Sequence, residues 1–199
     1  MLYLDIETDG LNPTTIWVVG VAEDKKQPFP IYSADDLQRL LNRHDAVVAH
    51  NGIRFDFPVL ERLWGIDFSN TRKVDTYVLS SLASPNRDGG HSLSNFGRLL
   101  GYEKGDHNDW SRLSPEMITY CLRDVEVLRK ATAMITDELA EFSNGCADLE
   151  MKVADIIYRQ EQRGFFLDVP KATALWQDCT VEMAQIERQL QEVFPPVIV

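Results

Sequence analysis

The chain has 199 residues, 44% of them hydrophobic and 26% charged, the balance of a soluble globular protein long enough for one ordinary core and a smaller appendage. A formal net charge of −11 argues against a protein that grips long duplex nucleic acid through many phosphates, because that task needs a basic surface. No apolar run approaches the roughly 20 residues of a membrane span, and the N-terminus lacks a basic-then-apolar leader; Cys121, Cys146 and Cys179 have no metal-site spacing, so a cytoplasmic protein with reduced thiols is expected.

In chain order, the first predicted element is a strand over 2–6, within Leu2-Tyr3-Leu4-Asp5-Ile6-Glu7-Thr8. Side chains alternate along a strand, so Asp5 and Glu7 fall on one face. Two carboxylates aimed into one space repel, and a bound divalent cation is the usual compensation. The Asp-x-Glu spacing recurs at Asp124/Glu126 and Asp148/Glu150, so position at a strand end, rather than spacing, singles out the first copy. The turn Asp9-Gly10-Leu11-Asn12-Pro13 leads into a strand over 15–23, predicting a hairpin. A shorter strand near 28–32 and a helix over 34–43 follow. A strand over 45–50 enters the polar turn at His50-Asn51-Gly52, and Asp56 stands two residues before Pro58, where a helix over 57–64 begins. There Asp56 either caps the helix or joins the first two carboxylates.

Helices are predicted over 75–83, with Asp75 as its cap, over 92–100, and over 115–140. In the long helix Ile118, Cys121, Leu122, Val125 and Leu128 form an apolar stripe, and Tyr120 and Asp124, four apart, share a face beside it. From Asp148 a further helical pattern ends at Gly164. Asp168 and Pro170 open a last helix striped by Leu175, Cys179, Met183, Ile186, Leu190 and Val193, a packing face that stops at Phe194-Pro195-Pro196. A hairpin followed by strand–helix alternation predicts an α/β fold, a mixed sheet flanked by helices, with a C-terminal helical extension.

Taken in order, Asp5-x-Glu7 on a first strand, Asn51 with Phe55-Asp56 after a later strand, and Tyr120-x-x-x-Asp124 on a helix resemble the three motifs of the DnaQ-like (DEDD) 3′→5′ exonucleases. The tyrosine marks one subclass; a member of the histidine subclass would carry His where Thr119 stands. Val74-Asp75-Thr76-Tyr77-Val78-Leu79-Ser80, Gly90-His91-Ser92-Leu93 and Gly101-Tyr102-Glu103-Lys104-Gly105 extend the likeness to the proofreading domain of family-A replicative DNA polymerases from short-tailed phages. The resemblance covers residues 1 to about 140 and continues more faintly beyond. It implies a ribonuclease H-like exonuclease domain over 1–145 and, over 146–199, the opening of a polymerase part. Motifs for nucleotide addition have no counterpart in the chain, so no polymerase activity is expected of it.

The implied chemistry is phosphodiester hydrolysis with two divalent ions, Mg²⁺ or Mn²⁺, roughly 3.5 to 4 Å apart. By resemblance Asp5 bridges both ions, Glu7 and Asp124 complete the site that activates water, and Asp56 holds the second ion. Tyr120 orients the water, since a phenol with a pKa near 10 is a poor base at neutral pH. The substrate would be a single-stranded or frayed DNA 3′ end, released as nucleoside 5′-monophosphates during phage DNA replication in the host cytoplasm. A monomer partnered by a polymerase part is expected.

Around that centre, Leu11 either wedges between the last two bases or folds onto the core. Asn51 bonds the terminal nucleotide or closes its turn, and Trp110 stacks on a base or sits in the core. Arg54, with Arg72, Lys73, Arg87, Arg98, Lys104, Arg112 and Arg123, lines a path for the strand or is solvated surface charge. His50, His91 and His107 carry no assigned role. The same motifs would also suit a stand-alone RNA 3′ exonuclease, distinguished by the 2′-OH, or a non-catalytic nucleic-acid-binding scaffold.

Overall fold

The computed structural model describes residues 1–102, 105 and 107–194. Of the residues singled out above, Glu103, Lys104, Pro195 and Pro196 lie outside that set. Five strands form one sheet in the order β3-β2-β1-β4-β5. They are β1 (Leu2–Thr8), β2 (Ile16–Glu23), β3 (Phe29–Ile31), β4 (Ala46–Ala49) and β5 (Arg72–Asp75). β1 pairs antiparallel with β2, with Asp5 opposite Gly20, and parallel with β4. β3 adds antiparallel to β2, and β5 adds parallel to β4. The expected hairpin and mixed sheet are therefore present.

Helices cover both faces of the sheet. The helices of the chain are α1 (Ala34–Leu41), α2 (Asp56–Trp64), α3 (Thr76–Ala83), α4 (Leu93–Leu99), α5 (Pro115–Glu138) and α6 (Asn144–Arg163), with α7 (Val169–Val193) in a separate C-terminal unit. On one face Leu2, Leu4 and Ile6 of β1 pack with Val19, Val21, Val47 and Ala49 against Leu37, Leu41, Phe57 and Leu60 of α1 and α2. On the other, Tyr3 packs with Ala22 and Val48 against Phe96 of α4 and Val125, Leu128 and Ile135 of α5. The period-two alternation of β1 thus sends Leu2, Leu4 and Ile6 one way and Tyr3, Asp5 and Glu7 the other. The second set meets α5, which supplies Asp124.

The long helix α5 begins where its sequence says it should. The Ser114 hydroxyl accepts the Met117 amide at 3.1 Å, and Pro115 occupies the first turn, satisfying a donor that would otherwise be orphaned. Its buried row runs through Met117, Cys121, Asp124, Val125, Leu128 and Ile135, so one carboxylate lies within an apolar stripe.

Two compact units are present, the first extending to Gln160 and the second beginning at Glu161. In α6, Ala147, Met151, Ala154 and Tyr158 pack onto the two core clusters. Gly164 ends this helix in the left-handed conformation at φ 66°, as its sequence suggests. Within the second unit, Asp168 caps α7 by accepting the Lys171 amide at 3.0 Å. The α7 stripe of Leu175, Met183, Ile186, Leu190 and Val193 is exposed. Among the described residues no helix is long and apolar enough to cross a membrane.

Candidate active site

Three elements converge beside the C-terminal half of β1. Asp5 and Glu7 come from β1, Asp56 from the first turn of α2, and Tyr120 and Asp124 from α5; all five line one cleft of about 280 Å³. Ile6, Leu11, His50, Asn51, Phe55 and Trp110 complete its wall. A second hollow of about 400 Å³ also borders Asp5 and Asp124, reaching Tyr77 and Ser92–Ser94. Glu7, Asp56 and Asp124 are each at most 5% exposed, which places three carboxylates of like charge in a poorly hydrated space.

The alternative role of Asp56 as a helix cap does not fit the local geometry. Phe55 occupies the cap position without a side-chain hydrogen bond, and Asp56 is the first helical residue. Its carboxylate receives its own amide and that of Ile6, yet burial, with a further push from Asp75, raises its pKa to about 7. A cation in the cleft would return this group to its ionised form. The donor set fits a divalent ion on chemical grounds: hard carboxylate oxygens from three elements, two of them alternating on one strand, with little competing positive charge. Among the described residues no Lys or Arg lines the cleft.

Cys121 lies under this centre. Its thiol, Asp5 and Glu7 present potential ligand atoms all within 4.8 Å of one another. Burial, followed by the charges of Asp5 and Glu7, pushes the thiol pKa well above its ordinary value, so it stays protonated. A protonated, soft thiol is a poor ligand for a hard cation. Its hydrogen is directed to the Asp5 carbonyl at 3.6 Å.

The turn after β4 is fastened by Asp75. One carboxylate oxygen accepts the amides of Asn51 at 2.8 Å and Tyr77 at 2.9 Å, and the other accepts that of Ile53 at 3.0 Å. Asp75 therefore caps α3, as its sequence suggests, and also clasps the turn that carries Asn51 to the cleft. Asn51 adopts φ 59°, a left-handed conformation that asparagine tolerates better than most side chains. Thr76, next to the clasp, holds His50 through a 2.8 Å contact between its hydroxyl and Nδ1.

Leu11 is 94% exposed and borders the cleft, so it is not folded onto the core. Trp110 is half-buried in the cleft wall, its ring edge-on to Tyr120 with centroids 5.8 Å apart, and His107 packs on both rings. The basic residues are placed differently. Arg54 lines a separate groove beside α6, with Tyr77, Glu150 and Ile157, and not the carboxylate cleft. Arg72 pairs with Asp148, Lys73 with Glu61, Arg87 with Glu138 and Arg112 with Asp109. Arg98 bonds Asn95, and Arg123 lies over the Tyr102 ring. Sequence reasoning left His50, Phe55 and His107 without a place at the site. Adjacency of His50 to Asn51, and of Phe55 to Asp56, was the available signal.

The chain as a whole is similar to several known proteins. The DNA-directed DNA polymerases of Enterobacteria phage T3 and Escherichia phage T7 are each 24% identical over 98% of this chain and 37% of their own length. The chain thus spans little more than a third of those relatives. Among solved structures, Brucella melitensis NrnC superposes with a TM-score of 0.60 at 26% identity, covering 79% of each chain; the same protein has been solved with bound Mg²⁺ and bound to pGG. The family model of the RNase H superfamily matches residues 2–114, more than half of the sequence, and the chain accordingly belongs to that superfamily.

Proposed function

We propose that this domain is a divalent-metal-dependent 3′→5′ exonuclease that trims single-stranded or frayed DNA ends for a phage-type DNA polymerase, releasing nucleoside 5′-monophosphates. The observation that carries the reading is the convergence of Asp5, Glu7, Asp56, Asp124 and Tyr120, from three elements, on one cleft. A space of about 280 Å³ suits a single nucleotide at a chain end better than a duplex.

The reaction adds water across the last phosphodiester. The water oxygen joins phosphorus, the bond from phosphorus to the 3′ oxygen of the preceding nucleotide breaks, and that oxygen takes up a proton. Divalent cations held by Asp5, Glu7, Asp56 and Asp124 would make hydroxide available at neutral pH and offset charge at the attacked phosphate. Tyr120, one helical turn before Asp124, orients the attacking water through its hydroxyl, while its ring is braced by Trp110 and His107. Leu11, exposed at the rim, and the Trp110 ring offer apolar surfaces for bases without regard to sequence. Asn51, held by the Asp75 clasp, presents an amide to the end nucleotide. With no Lys or Arg among the described residues of the cleft wall, the grip on the rest of the strand falls to a polymerase part in the same or a companion chain. That division is compatible with a net charge of −11.

A second reading, removal of nucleotides from RNA, is favoured by the likeness to NrnC, a structure of which holds pGG. Matched DNA and RNA oligonucleotides, each labelled at the 5′ or 3′ end, separate these readings. A ladder from 5′-labelled DNA, with mononucleotide released first from 3′-labelled DNA, is expected. Shortening from the 5′ end would refute the polarity, and a marked RNA preference would transfer the assignment to the second reading.

A further inference from the structure

We propose that Gly20, on β2, is a positioning residue of the active site, setting how closely α5 approaches β1 and hence where Tyr120 and Asp124 stand relative to Asp5 and Glu7. The inference rests on the reading of the cleft as a nuclease centre. Gly20 lies opposite Asp5 in the β1–β2 ladder. A Cβ built there would stand 2.8 Å from the Cys121 thiol, 3.0 Å from a Val125 methyl and 3.3 Å from the Cys121 carbonyl. The last of these contacts is backbone, so at this point the helix itself rests against the strand. All three atoms belong to residues flanking Asp124 or adjoining Tyr120 on α5. The Cys121 thiol reaches past Gly20 to the Asp5 carbonyl.

Gly20 has ordinary strand geometry, and its conformation requires no glycine: the positive-φ residues lie elsewhere. What requires a hydrogen here is the close approach of α5. A methyl group would be absorbed by displacement of α5 by a few tenths of an ångström, since the well-packed interior leaves no free volume. The carboxylates of β1 and those of α5 would then separate. Positioning errors are costly in a centre whose groups act together, about 10²-fold for 1 Å and so several-fold for a few tenths of an ångström.

The test compares wild type with Gly20→Ala, Cys121→Ala, the double variant Gly20→Ala/Cys121→Ala, and Asp5→Ala. Each is assayed for kcat and KM on a 5′-labelled DNA oligonucleotide and, separately, for Mn²⁺ binding by calorimetry, well below its melting temperature. Gly20→Ala is expected to lower kcat several-fold, up to about 10-fold, leave KM nearly unchanged and weaken Mn²⁺ binding several-fold. Removing the thiol makes room for the new methyl, so the double variant is expected to recover most of both losses. Cys121→Ala alone should stay within about threefold of wild type. Should Gly20→Ala not fold, Cys121→Met crowds the same contact from the helix side and should reproduce the loss. The proposal is overturned if Gly20→Ala lowers only the melting temperature, or if the double variant recovers neither kcat nor Mn²⁺ binding. Wild type no more active than Asp5→Ala would refute the nuclease reading instead, and the Mn²⁺ comparison would still decide the role of Gly20.

Discussion

Replacing Asp56 by asparagine in the metal-free protein is expected to remove a pH dependence that this buried carboxylate builds into its stability. Burial and the neighbouring Asp75 raise the Asp56 pKa from 3.8 to about 7. The folded state therefore binds a proton that the unfolded state has released, throughout the interval between those values. Stability rises with pH where the unfolded state binds more protons; here the folded state does, so stability falls as pH rises from about 4 to about 7 and then levels off. A separation of roughly three pH units at about 1.36 kcal/mol each amounts to about 4 kcal/mol in full. Of this, about 3 kcal/mol accrues between pH 5 and pH 8. Asp75, also raised by burial, acts in the same direction in both proteins. Urea unfolding in EDTA at pH 5, 6, 7 and 8 measures the difference. The carboxamide of the Asp56→Asn variant cannot ionise, so the variant should gain on wild type as pH rises, by on the order of 3 kcal/mol at pH 8 relative to pH 5. Saturating Mn²⁺ should stabilise wild type most at pH 8, through binding to the ionised form. A stability difference independent of pH would refute the argument that Asp56 is desolvated and unneutralised.

Other expectations follow from the same geometry. Asp124→Ala should retain the fold while lowering turnover by on the order of 10²-fold to 10³-fold or more, the scale of losing one preorganised electrostatic group; circular dichroism and single-turnover rates check both halves. Tyr120→Phe should cost about tenfold, less than a group that carries the proton, with the same Mn²⁺ requirement. Asp75→Ala strips acceptors from the amides of Asn51, Ile53 and Tyr77 and should destabilise the protein by about 3 kcal/mol, read from urea midpoints. Binding of single-stranded DNA with Ca²⁺ in place of Mg²⁺ should be weak, with log Kd changing by no more than about 1 to 2 per decade of salt, because few cationic side chains meet phosphates. Fluorescence anisotropy over a salt series measures that slope.

Much of this site was legible in the sequence because its chemistry coincides with its periodicity. Alternation along β1 puts Asp5 and Glu7 on one face, and helical spacing puts Tyr120 and Asp124 on another, so two halves of the centre are local facts. Their meeting is not local. It depends on α5 crossing β1 and β2, and on Gly20 admitting that crossing, which a glycine within a strand does not announce. Asp56 had two compatible roles by position, and Phe55 taking the cap position, which the sequence does not announce, removes one of them. The strand β5, Arg72–Asp75, was not expected, because four residues carrying three charged side chains show neither alternation nor an apolar run; it forms because its backbone completes the ladder beside β4. The basic residues were the least legible. Charge in sequence says nothing of partners, and Arg72, Lys73 and Arg87 are engaged with carboxylates elsewhere. The packing of Met151, Ala154 and Tyr158 onto the core was likewise hidden, since the same helix also exposes Leu149, Val153, Ile156 and Ile157.

We propose that the carboxylate cleft hydrolyses nucleic acid from a 3′ end with divalent cations. The most direct test is a 5′-labelled single-stranded DNA oligonucleotide incubated with wild type and with Asp5→Ala, across a titration of Mg²⁺ or Mn²⁺ from EDTA to millimolar. The expected result is a ladder shortening from the 3′ end that rises with metal in wild type and is absent from Asp5→Ala at every concentration. Equal cleavage by the two proteins, or wild-type cleavage that persists in EDTA, would contradict it.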